Sequence, residues 1–232
     1  MAELFLKLLD HTEDPCTLLT YLPKFMERVR SIPSNDQAVK LARRGKWRQL
    51  KKLMKEFGSI LYVKRGKYVE KFFEGKLERV HVIVKVEENP ILYVHVHPAT
   101  FAIPSDTDLM LARIAPIHVG IGRRCDKRTL KVLFLYIHDL PFAKFHSEFY
   151  PAYKEFVRHM SEVPCERYEH KQIYVVSEEC ATRLEGEFIS LLKSFNVSYH
   201  VCFVPSVQRE ILTFASGYEG GRIIAEERYL GG

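Results

Sequence analysis

Ile91-Leu92-Tyr93-Val94-His95-Val96-His97 follows the turn Glu87-Glu88-Asn89-Pro90 and is rich in β-branched and aromatic residues, the composition of a strand. Side chains alternate across a strand, so Leu92, Val94 and Val96 share one face and Tyr93, His95 and His97 the other. The first face is wholly apolar and requires a core. The second carries two imidazoles about 7 Å apart along the backbone, close enough for one metal ion between the rings. His81, on the preceding run Val80–Val86, becomes a third ligand in one strand register and faces away in the register one residue removed.

Around this strand, composition describes an ordinary soluble globular chain of 232 residues, 47% apolar and 28% charged. That length suits one large domain or two small ones. No run approaches the ~18 apolar residues of a membrane span, so no membrane partner is expected. The opening Met1-Ala2-Glu3-Leu4 lacks the basic and apolar regions of a secretory signal, and a cytoplasmic location is expected. The five cysteines are scattered without a C-x-x-C pair, which predicts reduced thiols rather than a disulfide framework. Only seven amide side chains stand beside abundant Lys, Arg and Glu, a balance that fits a thermophilic source.

The formal charge of +6 is unevenly placed. Between Asp36 and Lys85 there are fifteen Lys or Arg against five acids, whereas from Gln172 onward five bases face eight acids. A polyanion met by the N-terminal half is the expectation. Apolar spacing predicts a helix over 17–31, with Pro23 marking its start, then a short helix capped by Ser34 or Asn35 and ending near Gly45. A second helix runs from Lys46 to Phe57, closed by Gly58. Ser59–Val63 and Tyr68–Phe73 then form a hairpin about the basic tip Lys64-Arg65-Gly66-Lys67. This order resembles a winged helix-turn-helix module, which implies Arg43, Arg44, Arg48, Lys51 and Lys55 in a groove and Lys64, Arg65 and Lys67 on phosphates.

The rest of the chain reads as α/β (α+β): a mainly antiparallel sheet with packed helices and a small C-terminal α/β unit. Ser105-Asp106-Thr107-Asp108 caps a short helix. Buried strands at Ile114–Val119 and Leu130–Ile137 flank the tip Gly120-Ile121-Gly122-Arg123-Arg124, where Arg123 and Arg124 offer forks to a phosphate. A helix spans Ser147–Met160. Then come a strand at Ile173–Val176, a helix at Glu178–Phe195, a strand at Val197–Val204 and a short helix from Ser206. The expected division is a basic region at 1–75 and an α/β domain at 76–232.

His95-Val96-His97, followed by Tyr150-Pro151-Ala152-Tyr153-Lys154 on a helix, resembles the signature of the HUH single-strand endonucleases. That resemblance implies a divalent ion, Mg2+ or Mn2+, held by the histidines and polarising a scissile phosphate. It also implies a tyrosine nucleophile, Tyr150 or Tyr153, with Lys154 one turn from Tyr150. A phenol ionises near pH ~10, so phenolate formation at neutral pH needs a neighbouring cation. The function expected is nucleic-acid binding, to DNA or RNA, through the basic half. A metal-dependent endonuclease and a non-catalytic interaction protein are the alternatives, and oligomeric state is left open.

Overall fold

The structure is a computed structural model and describes residues 14–75, 89–127 and 129–205, together with the backbone of strands at 211–217 and 223–229. Its N-terminal part is helical: α1 (Pro15–Leu18), a 3-10 turn (Leu19–Tyr21), α2 (Pro23–Val29), α3 (Asn35–Arg43) and α4 (Trp47–Leu53). Pro23 does start a helix, and Ser34 caps α3 through a reciprocal capping box with Gln37. Gly45 has φ +65°, the left-handed geometry that ends α3 and allows a tight corner into α4.

The expected helix to Phe57 stops early. Phe57 and Gly58 instead open β1 (Phe57–Lys64), which turns through Arg65-Gly66, both at positive φ, into β2 (Lys67–Glu74). The hairpin exists, but β1 also pairs with β3 (Pro90–Val96), so it belongs to the main sheet and is not a free wing. Then follow α5 (Asp106–Ile114), β4 (His118–Arg124) and β5 (Thr129–Tyr136). The segment Gly120–Arg124 therefore lies within a strand, and the tip falls after it. The helical segment comprises α6 (Phe142–Lys144), a π turn (Phe145–Phe149) and α7 (Tyr150–Met160). The chain continues with β6 (Arg167–His170), β7 (Ile173–Val176), α8 (Glu178–Ser194), β8 (Ser198–Pro205), β9 (Ile211–Gly217) and β10 (Ile223–Tyr229).

Eight strands form one sheet in the order β10-β9-β8-β5-β4-β3-β1-β2, and β6-β7 is a separate ribbon. All neighbours are antiparallel except β3 and β4. The sheet runs across residue 75. It also takes in β8, which lies against β5, so the expected C-terminal unit is an extension of the same sheet. The expected strand at Val80–Val86, with His81, and a helix starting at Ser206 fall at residues outside those described; Ile211–Gly217 is strand.

Both sheet faces are covered. Tyr93, Val119, Ile121, Leu133 and Leu135 pack with Leu109, Phe145, Phe149, Tyr153, Leu184 and Phe188 from α5, the π turn, α7 and α8. Leu92, Val94, Val96, Val132 and Phe134 pack with Leu18, Phe25 and Val29 on the other side. The alternation read in the His95 strand thus holds. The cysteines do not follow expectation: Cys16–Cys202 and Cys165–Cys180 are disulfides, which leaves Cys125 free. Pairing across 186 residues of sequence leaves no spacing signal to read. No described helix is long and apolar enough to cross a membrane.

Gly58 pairs with His95, and a Cβ there would stand 2.5 Å from the Val94 carbonyl oxygen and 2.7 Å from the His95 Cβ. Backbone cannot yield to that contact cheaply. Gly58→Ala is expected to destabilise the fold by about 1–3 kcal/mol, read as a lower urea midpoint at unchanged m-value.

Candidate metal centre

Strand β3 carries His95 and His97 to its C-terminal end on one face. Tyr93 stacks on His95 with ring centroids 4.8 Å apart. The chain then loops through 98–104 to the N-terminus of α5. Ser105 caps that helix: its Oγ accepts from the Asp108 N–H, while the Asp108 carboxylate accepts from the Ser105 N–H and hydroxyl, both at 2.7 Å. The expected cap is therefore present, and it aims Asp108 at the histidines. His95 Nε2 lies 3.2 Å from Asp108 Oδ1, His97 Nε2 lies 3.1 Å from Asp108 Oδ2, and the two Nε2 atoms are 2.7 Å apart.

One Nε2 has a single outward direction for a proton or a lone pair. His95 Nε2 cannot serve both His97 and Asp108 with one proton, and the same holds for His97. Two imidazole nitrogens and a carboxylate converging this closely are satisfied together by a cation placed among them. The Glu56 carboxylate, at the end of β1 that faces His95 and His97, lies within 4.8 Å of both ring nitrogens.

Electrostatics follow from the burial. His95 is 1% and Asp108 5% exposed. Burial alone would push the Asp108 carboxyl up, but the His95 and His97 rings outweigh it and hold Asp108 well below the ordinary carboxylate range. Burial likewise opposes charge on His97. Its hydrogen bond to Asp108, the Asp108 and Glu56 charges and a hydrogen bond to the Ile103 backbone raise its proton affinity overall. The Tyr93 hydroxyl is pushed up by burial and by the Asp108 and Glu56 charges, so it stays protonated.

The loop between His97 and Ser105 is held from behind by an ionic cluster. Glu185 on α8 is fully buried and accepts from the Ala102 N–H at 2.7 Å, from Lys131 Nζ at 2.6 Å and from two nitrogens of Arg123. Arg123 also reaches Glu178 and the Asn35 side chain. Asn35 Nδ2 in turn donates to the carbonyls of Thr100 and Val176. Tyr174 of β7 adds backbone bonds to Pro98 and Thr100. Every second residue of the loop is tied down.

Among the residues expected from sequence, His95 and His97 do come together. Tyr153 is buried with its hydroxyl donating to the Pro104 carbonyl, and burial raises its pKa, the opposite of what a phenolate nucleophile needs. Tyr150 stacks against Phe145, and Lys154 pairs with Asp106 at 2.8 Å. Among the described residues neither tyrosine bonds to His95 or His97. Arg123 and Arg124 do not form a phosphate cradle. Arg123 is buried in the ionic cluster, and Arg124 donates to the carbonyls of Arg30, Ile32, Asp126 and Lys127. Arg43 is paired with Glu166. Arg44, Arg48, Lys51, Lys55, Lys64, Arg65 and Lys67 are all exposed.

Sequence reasoning missed Asp108, Glu56 and Ser105 as members of one site. Asp108 stands eleven residues after His97, and its capping role accounted for it fully. Glu56 carried no signal until β1 and β3 were paired. No protein-family model, curated protein or solved structure matches this chain.

Two outcomes follow from the charges. Glu185→Gln leaves Arg123 and Lys131 with one carboxylate fewer in the interior, and should cost about 3–5 kcal/mol in denaturant unfolding. In chelator-treated protein, Asp108 has a depressed folded pKa, so its contribution is present above about pH 4 and fades as pH falls through the lower folded value. His97 has a raised folded pKa, so its contribution is full below about pH 6.5 and fades as pH rises through the higher folded value. The stability advantage over Asp108→Asn should therefore peak between those two pH values and shrink toward alkaline pH.

Proposed function

We propose that this chain is a zinc-dependent hydrolase acting on a carbonyl bond of the amide type. The observation that carries the reading is the convergence of His95 Nε2, His97 Nε2 and the Asp108 carboxylate on one point, with the Glu56 carboxylate within 4.8 Å of the ring nitrogens. Two imidazoles and one carboxylate suit Zn2+, whereas Mg2+ prefers six oxygens. That favours zinc over the Mg2+ or Mn2+ expected from the strand motif.

Three protein ligands leave a coordination position open, which is the arrangement of catalytic rather than structural zinc. Zinc bound there would supply Lewis acidity and lower the pKa of a bound water to about neutral. Glu56 is the general base: a half-buried carboxylate within 4.8 Å of the histidine nitrogens can take a proton and later return it to a leaving amine. Ser105 fixes the Asp108 carboxylate through its hydroxyl and remains exposed at the mouth of the site. Tyr93 forms an apolar wall behind His95. The endonuclease implied by the histidine motif also needs a tyrosine nucleophile, and with Tyr153 buried and donating to the Pro104 carbonyl and Tyr150 stacked on Phe145, the amide reading is favoured.

The test combines metal analysis with turnover. Purified protein should hold one zinc per chain, and His95→Ala, His97→Ala and Asp108→Ala should each lose it. Glu56→Gln should retain zinc while hydrolysis of a fluorogenic peptide library falls by about 10²–10⁴-fold. Ser105→Ala should weaken zinc binding by about 10–100-fold in chelator competition. Full zinc occupancy in the Asp108 variant would remove the proposed ligand set, and Glu56→Gln at wild-type turnover would remove the base.

A further inference from the structure

The basic surface has its own geometry, separate from the metal centre. Trp47, the only tryptophan in the sequence, begins α4, and its ring stacks on His170 at the end of β6, with centroids 5.1 Å apart and planes 23° apart. Leu50 and Met54 pack on Ile173 and Val175, which fixes α4 against the β6–β7 ribbon. Between them lies a cleft of about 410 Å³, lined by the Trp47–His170 pair and by Arg48, Lys51, Lys171 and Gln172. Lys51 is one turn beyond Trp47 on the same helix face. Lys171 has φ +57° in the hairpin turn, which places it at the rim.

Several cations elsewhere in the molecule are held in ion pairs. Arg43 is bound to Glu166, Arg28 to Glu74, and Arg123 and Lys131 to Glu185. Arg48, Lys51 and Lys171 are exposed and form no ion pair among the described residues, and the same is true of Arg44, Lys46, Lys52 and Lys55, close by in sequence to Arg48 and Lys51. Arg48, Lys51 and Lys171 meet at this cleft, where their like charges repel each other. A flat aromatic pair bordered by free cations matches a chain that alternates planar rings with phosphates.

We propose that this cleft binds single-stranded nucleic acid, one base lying against the Trp47–His170 pair and the adjoining phosphates against Arg48, Lys51 and Lys171. Double-stranded nucleic acid keeps its bases stacked inside and cannot present a ring to Trp47. The proposal does not depend on the hydrolase reading.

Because Trp47 is the sole tryptophan, intrinsic fluorescence reports directly on the cleft. The full chain is titrated with oligothymidylate and oligouridylate, and in parallel with a duplex, inorganic polyphosphate and an acidic peptide. Saturable quenching by the single strands is expected, with affinity that falls as salt rises. Arg48→Glu with Lys51→Glu should weaken binding by about tenfold or more and flatten the salt slope. Lys193→Glu, an exposed change on α8, should leave it unaltered, and circular dichroism checks that each variant is folded. His95→Ala should also bind normally, so loss of the metal centre and loss of this site are distinguishable. Absence of quenching, equal affinity for polyphosphate, duplex or acidic peptide, or unchanged binding by the charge-reversal pair would each overturn the proposal.

Discussion

The Glu185 carboxylate is the point on which the architecture turns. It comes from the middle of α8, is fully buried, and neutralises cations from β4 and β5 while accepting the backbone N–H of Ala102. A buried acid is costly unless its lone pairs are filled, and here they are: burial opposes its ionisation, yet Arg123 and Lys131 hold its pKa down. One side chain thereby joins the central strands, the longest helix and the loop between His97 and Ser105. If that loop shifted, Asp108 would no longer face the histidines, because Asp108 owes its direction to the cap made by Ser105 at the end of the same loop.

Two charge arrangements divide the molecule. Inside, cations and carboxylates are matched, as at Arg123, Lys131, Glu178 and Glu185. Beside the Trp47–His170 pair, Arg48, Lys51 and Lys171 form no ion pair among the described residues. The proposed hydrolytic centre and the proposed nucleic-acid cleft thus draw on different physics: desolvated, convergent donors in one, and solvated, divergent charge in the other. Cys125, the free thiol next to Arg123, belongs to neither; burial pushes its pKa up to about 12 and leaves it inert.

What could be read from sequence was the part written in local periodicity. The alternation Tyr93, His95, His97 against Leu92, Val94, Val96 gave the strand and its two faces; Ser34, Ser105 and Gly45 marked helix ends; and Arg65-Gly66 marked a hairpin. Reading failed where a residue has two roles or a distant partner. Asp108 is a helix cap and also faces both imidazoles, and the cap alone was a sufficient explanation. Gly58 looked like a helix stop, although its bare Cα serves the close approach of the Val94 carbonyl and His95. Arg123 looked like a phosphate ligand because nothing in its neighbourhood in sequence announces Glu185, sixty-two residues away. The cysteines were misjudged for the same reason.

The single parallel contact in the large sheet, between β3 and β4, obliges the chain to cross over the sheet between those strands. His95, His97, Ser105 and Asp108 all fall on the crossover or at its threshold, a stretch of fourteen residues. Glu56 arrives separately, through the antiparallel pairing of β1 with β3. In the proposed hydrolase the three ligands thus come from one short stretch of chain, but Glu185 of α8 and the pairing of β1 with β3 must both be in place before ligands and base stand together. Power to cut would therefore arrive only with the finished architecture.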